Sequence, residues 1–170
     1  DRLDGQIEGF FRDADAYFEK FKNILTHRKL SMQLLIMNRK EQHFRSDSSL
    51  RAYTSLMEHP ITQGIGGTKS VKARMYYLQS SYIFHFARGD YDRAYEAGSA
   101  MVMLMEENPF LVEERPANYL SALQNQVTMG VATLPAPKAL ELIEKLKQFS
   151  SHFPRVKFEK GLDEKAVLFA

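Results

Sequence analysis

Residues 86–96 read FARGDYDRAYE and mark a turn between two helices. Before this turn, an aromatic-rich helical pattern begins near Ser70 and ends at Gly89, which breaks the helix. After it, Asp90 can cap a second helix, whose apolar residues recur every three or four positions as far as about Glu107. Pro109 follows and cannot continue that helix. The stretch therefore predicts two helices joined by a very short turn, which pack antiparallel.

A second copy of this helix pair follows 45 residues later, with one helix beginning at Pro116 and the next after Pro135 and Pro137. The identities that relate the copies are Leu78 with Leu123, Gln79 with Gln124, Ala94 with Ala139, Glu96 with Glu141 and Pro109 with Pro154. Self-similarity at a period of about 20 to 50 residues is typical of helical solenoids. The repeat therefore predicts stacked helix pairs.

Further helical patterns lie on both sides of the repeat. An apolar stripe predicts one amphipathic helix over residues 4–26, with basic residues 27–29 near its end, and a second helix over residues 30–44. Asp47 or Ser48 can cap a third helix, which Pro60 stops. Glycines over residues 62–68 predict a flexible loop, and residues 162–170 predict the start of an eighth helix.

The composition sets broad limits on function. The chain has 170 residues, a formal net charge of +2 and no cysteine. The absence of cysteine excludes disulfides and zinc–thiolate sites, and it suits a reducing cytoplasm. No apolar run approaches the roughly 18 residues that span a bilayer. Because the sequence starts at Asp1 and stops in an apolar run, we expect it to be part of a longer chain.

Two motifs suggest binding of phosphate or nucleic acid. Residues 64–70 read GIGGTKS, but a phosphate-binding loop needs glycine directly before the lysine and a preceding strand, and Thr68 and a helix stand there instead. Lys69, Lys72, Arg74, Tyr76 and Tyr77 combine cations with aromatic rings, as proteins that bind single strands do. We therefore keep a single-stranded nucleic-acid binder as an alternative, although the small net charge disfavours it.

No pattern in the chain predicts catalysis or a metal site. No pair of histidines has the i, i+4 spacing that places two metal ligands on one helix face. The paired acids at residues 106–107 and 113–114 flank helix ends, where charged side chains are ordinarily solvated. No serine stands in a nucleophile motif. We therefore predict no catalytic residues, no cofactor and no enzymatic activity.

Residues 86–96 resemble the centre of a tetratricopeptide repeat, in which a Gly-Asp-Tyr type of turn joins the two helices and a small residue three positions after the aromatic lets them cross closely. Ala94 has that place here, and Ala139 has it in the second copy. The chain departs from the family where Pro109 and Pro154 follow these alanines after fifteen residues rather than twelve. The resemblance covers residues 69–154 best.

This resemblance implies an all-α fold, a right-handed superhelix of about seven to eight antiparallel helices. The whole chain, residues 1–170, would then form a single helical repeat domain. Its approximate units would be a leading helix over 1–27, helix pairs over 28–60, 69–109 and 116–154, and the start of a further helix over 162–170.

In this family the first helix of each pair lines a concave face that binds peptides. Carried over by position, the resemblance implies a partner-binding face made of Tyr76, Gln79, Ile83, Phe86, Ser121, Gln124, Asn125 and Thr128, with Val131 beside them. The lysines of the family's carboxylate clamp are absent from these places. Neutral polar and aromatic groups suit a peptide held by amide hydrogen bonds and apolar pockets.

We therefore expect a protein–protein interaction scaffold that binds a protein or peptide partner, with no membrane and no nucleic acid. The alternative in the same family is a peptide-sensing regulatory domain that is coupled to an output domain outside this sequence. The apolar faces of the terminal helices suggest homo-oligomerisation as a further possibility. Location in the cytoplasm is the expectation that follows from the composition.

Overall fold

The computed structural model describes residues 2–41, 46–58, 60 and 67–152, and these residues form helices and turns without a strand. Seven helices follow one another in the order α1 Arg2–Glu41, α2 Asp47–Met57, α3 Val71–Arg88, α4 Tyr91–Glu106, α5 Pro109–Glu114, α6 Pro116–Thr133 and α7 Ala136–His152. The predicted all-α class is therefore confirmed for the described part of the chain.

Helix α1 corrects the prediction of two helices over residues 4–26 and 30–44, because it continues through residues 27–29 without a break. The basic residues there resemble a helix end, but no glycine or proline interrupts the backbone. Instead, His27, Leu30 and Leu34 are all buried. Their spacing continues one face of the helix against the core, and this packing favours an unbroken helix.

Short-range capping explains where several helices begin and end. The N-cap of α2 is Ser46, whose hydroxyl accepts a hydrogen bond from the amide of Ser49, so the prediction of Asp47 or Ser48 as the cap was wrong by one or two residues. Ser70 caps α3 in the same way. Gly89 ends α3 with a φ of 74°, a left-handed conformation that glycine adopts without strain.

The 45-residue repeat predicts the helix positions closely. Adding 45 to the bounds of α3 gives residues 116 and 133, which are the bounds of α6, and adding 45 to the start of α4 gives 136, where α7 begins. Ala94 and Ala139 are both buried, as a close helix crossing requires. The sequence reading missed α5, in which Pro109 starts a six-residue helix as well as ending the previous one.

The chain divides into two compact units, residues 1–97 and 98–170, and the boundary falls within α4. In the first unit, α1 and α2 both pack on α3, around buried Leu34, Tyr53 and Leu78. In the second unit, α5 and α7 both pack on α6, around buried Leu111 and Leu123. The right-handed superhelix and the single repeat domain stay predictions.

Some expectations lie outside the described residues. These are Gly64 and Gly66 of the predicted loop, the closing Pro154, and the eighth helix over residues 162–170. Among the helices that the structure does describe, none has both the length and the apolar composition needed to cross a bilayer.

Candidate functional site

The predicted partner-binding residues lie on two helices that the repeat makes equivalent. Tyr76, Gln79, Ile83 and Phe86 belong to α3, and Ser121, Gln124, Asn125 and Thr128 belong to α6. Helix α3 belongs to the first compact unit and α6 to the second. The two sets of residues differ sharply in how much of each is accessible.

On α3, most of the predicted face is covered by the protein itself. Tyr76 and Ile83 are 8% and 3% exposed, so they are core residues of the first unit. Gln79 is half-buried, and its Oε1 accepts a hydrogen bond of 2.7 Å from the hydroxyl of Ser31 in α1. Phe86 is half-buried and stacks on Tyr82, one turn away, with the ring centroids 6.0 Å apart.

Helix α1 packs on α3 and contacts this face at Gln79. Ser31 is itself 1% exposed, and it lies between buried Leu30 and Leu34. The sequence reading missed Ser31 because it placed a helix boundary just before that residue. The signal that could have found it is the continuous spacing of residues 23, 27, 30, 31 and 34 on one helix face.

On α6, the equivalent face is accessible. Ser121 and Thr128 are exposed, and Gln124 and Asn125 are half-buried. Val131 continues the face at 59% exposure. The opposite side of α6 is buried, so the exposed residues form one stripe along the helix. Gln124, the repeat counterpart of Gln79, lies near the middle of this stripe, which we call the α6 face (Ser121, Gln124, Asn125, Thr128 and Val131).

Helix α6 also carries no charge. Its eighteen residues read PANYLSALQNQVTMGVAT, without an aspartate, glutamate, lysine or arginine. The hydroxyl of Thr128 donates to the Gln124 carbonyl at 2.8 Å, so this hydroxyl has a hydrogen-bond partner within the helix. An accessible helix face without charge offers amide groups and small apolar groups to a partner, and it imposes no cost for desolvating ions.

Residues 67–69, at the end of the predicted glycine-rich loop, form hydrogen bonds to α1. The Asn23 side chain donates to the Gly67 carbonyl at 3.0 Å and accepts from the Lys69 amide at 2.9 Å. The Lys69 ammonium lies 3.5 Å from a carboxylate oxygen of Glu19. The backbone amide and the ammonium of Lys69, which a phosphate loop would direct at its ligand, are therefore engaged with α1.

Tyr76 and Tyr77, the aromatic residues of the predicted nucleic-acid surface, are also engaged in packing. Tyr76 is buried, and Tyr77 meets buried His27 edge to face, with the ring centroids 6.3 Å apart. Burial lowers the pKa of His27 from its ordinary value of 6.5, and a hydrogen bond with the Gly67 backbone opposes that effect in part. Base stacking needs exposed rings, and Tyr76 does not provide one.

The paired acids at residues 106–107 and 113–114 have different surroundings. Glu107 and Glu113 are exposed. Glu106 accepts a hydrogen bond from the Tyr119 hydroxyl and lies 2.7 Å from the Lys145 ammonium, so it links α4 to α6 and α7 within the second unit. Burial, together with this hydrogen bond and the Glu106 charge, raises the pKa of Tyr119. These contacts describe a structural role for Glu106.

Metal-ligand clusters and surface clefts are two other features that could form a site. Among residues 2–41, 46–58, 60 and 67–152, no group of three or more histidine, aspartate or glutamate side chains converges as metal ligands would. An open cleft of about 730 Å³ lies between α2 and the end of α3. Its lining is mixed in charge: Asp47, Leu50, Arg51, Thr54, Ser55, Glu58 and Arg88.

No model of a known protein family, no curated protein and no solved structure matches this chain. The resemblance of residues 86–96 to a tetratricopeptide repeat therefore stays a prediction.

Proposed function

We propose that this chain is a protein-interaction module that binds a helix or peptide of a protein partner on the α6 face. The observation that carries the proposal is the hydrogen bond between Ser31 of α1 and Gln79 of α3. It is an example, within the chain, of a helix docked on this face of a repeat. Because the repeat places Gln124 where Gln79 stands in α3, the same kind of contact is available on α6.

The chemistry of the α6 face indicates the class of partner. Ser121, Gln124 and Asn125 can donate and accept hydrogen bonds, whereas Val131 offers apolar surface. Without charges on α6, electrostatic steering of an ionic ligand has no local source there. A helix that presents small polar and apolar side chains at i, i+3, i+4 and i+7 fits this face, as in other cases where a helix lies in a groove.

Site-specific photo-crosslinking of the full chain can find the partner. We expect a photo-reactive residue at Thr128, which is exposed on the α6 face, to capture a discrete protein adduct from the native cell extract. The same group at Leu140, which is 60% exposed on α7, is the matched control. Identical adducts from both positions would show that the α6 face has no selective partner.

Affinity of the captured partner then tests the role of Gln124. Replacing Gln124 with alanine removes one net hydrogen bond, and we expect binding to weaken about fivefold. Replacing Ser121 with glutamate buries a charge in the interface and is expected to weaken binding about tenfold or more. Glu113→Ala, at an exposed position on α5, is the control. If calorimetry shows the same affinity for all three variants, the α6 face is not the binding site.

A further inference from the structure

Helix α1 has two opposite faces, and within the described part of the chain only one of them is buried. Asn23, His27, Leu30, Ser31 and Leu34 are buried on the face that meets the rest of the first unit. At 100° per residue, the opposite face carries a stripe of large apolar side chains that are exposed. Four of its members recur at heptad spacing, and their exposed fractions are 61% for Phe11, 66% for Phe18, 46% for Leu25 and 51% for Met32. Ile7 and Phe21 belong to the same stripe.

The first half of α1 has almost no side chain buried by the described part of the chain. From residue 7 to residue 22, every side chain is exposed except Gly9 and Ala14, which are half-buried. A helix of this length is marginal in water without packing. An exposed aromatic stripe of this extent marks an interaction surface. The spacing of three and four residues is that of helices that pair side by side.

Charges along one edge of the stripe select the partner and its direction. Glu8, Asp15, Lys22 and Lys29 follow each other at seven-residue intervals on that edge, so the edge is acidic in its first half and basic in its second. Lys22 lies 3.9 Å from Glu19 of its own helix, but its side chain is 77% exposed and accessible to another chain. A second copy that runs in the opposite direction places acid beside base along the whole edge.

We propose that α1 pairs with α1 of a second copy of this chain in an antiparallel arrangement. In the matching register, Glu8 of one copy lies beside Lys29 of the other, and Asp15 lies beside Lys22. The same register sets the small Ala14 of one copy against Leu25 of the other, which gives a close contact without overpacking. The apolar stripe of α1 and the α6 face share no residue, so the two proposals stand independently.

Sedimentation velocity of the full chain over a concentration series tests the pairing. We expect a dimer that dissociates in the micromolar range or below, and Phe18→Asp is expected to weaken it about tenfold or more. Lys22→Glu with Lys29→Glu makes the edge wholly acidic, whereas Glu8→Lys with Asp15→Lys makes it wholly basic. Each double variant is expected to be monomeric alone, and an equimolar mixture of the two is expected to dimerise.

The double variants decide the direction. In a parallel pair each position of the edge lies beside itself, so like charges meet in the wild type and in every variant, and the double variants would dimerise as the wild type does. The variant with all four changes restores acid beside base in the antiparallel pair, so we expect it to form a homodimer again. Glu107→Lys with Glu113→Lys, at exposed positions outside α1, is the matched control and should dimerise like the wild type. The proposal is overturned if the wild type is monomeric at about 100 μM, if the double variants dimerise as the wild type does, or if the fourfold variant stays monomeric.

Discussion

At the scale of single residues, the Asn23 side chain stabilises the first unit through two hydrogen bonds. It is 4% exposed and satisfies two backbone groups of the loop before α3, the Gly67 carbonyl and the Lys69 amide. Asn23→Ala leaves both without this partner. We expect the free energy of unfolding to fall by about 1–3 kcal/mol, because two hydrogen bonds of about 0.5–1.5 kcal/mol each are lost. Urea denaturation followed by circular dichroism measures the change.

Gln33→Ala is the matched control for Asn23, because Gln33 is an exposed amide on the same helix. Removing it should change the free energy of unfolding by less than about 0.5 kcal/mol. Equal losses in the two variants would mean that the contacts of Asn23 with the loop contribute nothing specific.

The Tyr119 hydroxyl makes a comparable contribution to the second unit. It donates to the Glu106 carboxylate, while its ring is buried and meets Phe149 at a centroid distance of 4.6 Å. Tyr119→Phe keeps the ring contact and removes only the hydroxyl. We expect a loss of about 1.5–3 kcal/mol in the free energy of unfolding, the range for a hydrogen bond to a charged group.

Tyr91→Phe serves as the reference for Tyr119→Phe, since Tyr91 is 47% exposed and its hydroxyl can reach water. Urea midpoints of the two variants should therefore separate clearly. If Tyr119→Phe is as stable as Tyr91→Phe, the link from α6 to Glu106 is not a stabilising one.

At the scale of helices, substitution of two different glycines by alanine is expected to change stability in opposite directions. Gly89 has a φ of 74°, and a Cβ atom there would meet no atom within 4 Å, so only the backbone conformation opposes a side chain. Gly89→Ala is expected to lower the free energy of unfolding by about 1 kcal/mol or more. Gly9 lies inside α1 in open space, and Gly9→Ala is expected to raise helix stability by about 0.5–1 kcal/mol.

Thermal unfolding of both glycine variants checks this pair of signs. Because both substitutions add one methyl group without a clash, a shared steric effect cannot produce opposite shifts. The same sign of change at both positions would contradict the capping role assigned to Gly89.

Capping residues and apolar periodicity explain why some helices can be located from the sequence and others cannot. Ser70 and Gly89 set the ends of α3 through contacts within a few residues, so sequence reasoning locates that helix well. The short α5 lies between two prolines and has too few residues for a periodic pattern. The continuity of α1 through residues 27–29 is indicated by the spacing of residues 23, 27, 30, 31 and 34 on one helix face, and the packing of α1 against α3 accompanies it.

At the scale of the whole molecule, two histidines make stability depend on pH. Burial lowers the pKa of both His27 and His85 below 6.5, and for His85 the nearby Asp90 charge opposes this effect. The unfolded chain therefore binds protons more readily than the folded chain. The free energy of unfolding is expected to be greatest above a pH of about 7 and to fall as the pH drops below about 6.5.

The double variant His27→Gln, His85→Gln tests this pH dependence. Whatever its stability near neutral pH, its urea midpoint should fall less steeply than that of the wild type between about pH 7 and pH 5. Protein concentration must be held constant, because self-association through α1 would itself shift the midpoint. A slope equal to that of the wild type would assign the pH dependence to other groups.

The accessible half of the candidate site could be recognised from sequence only in part. The 45-residue spacing identifies Gln79 and Gln124 as equivalent positions, since repeats preserve local helix geometry. The sequence does not show that Ile83 is buried while Thr128 is exposed. That difference appears only in the folded chain, where α1 and α2 pack on α3 and bring together residues about 50 positions apart, such as Ser31 and Gln79.

The amino-acid sequence alone determined the all-α class, the turn at Gly89 and the register of the repeat, because helix periodicity, caps and turns depend on neighbours along the chain. Tertiary structure alone decided that α1 contacts Gln79 on the predicted face of α3, that most of this face is buried or half-buried, and that the equivalent face of α6 is more accessible. Burial is a property of distant segments brought together, so only the folded chain shows which of two equivalent helices offers its surface to a partner.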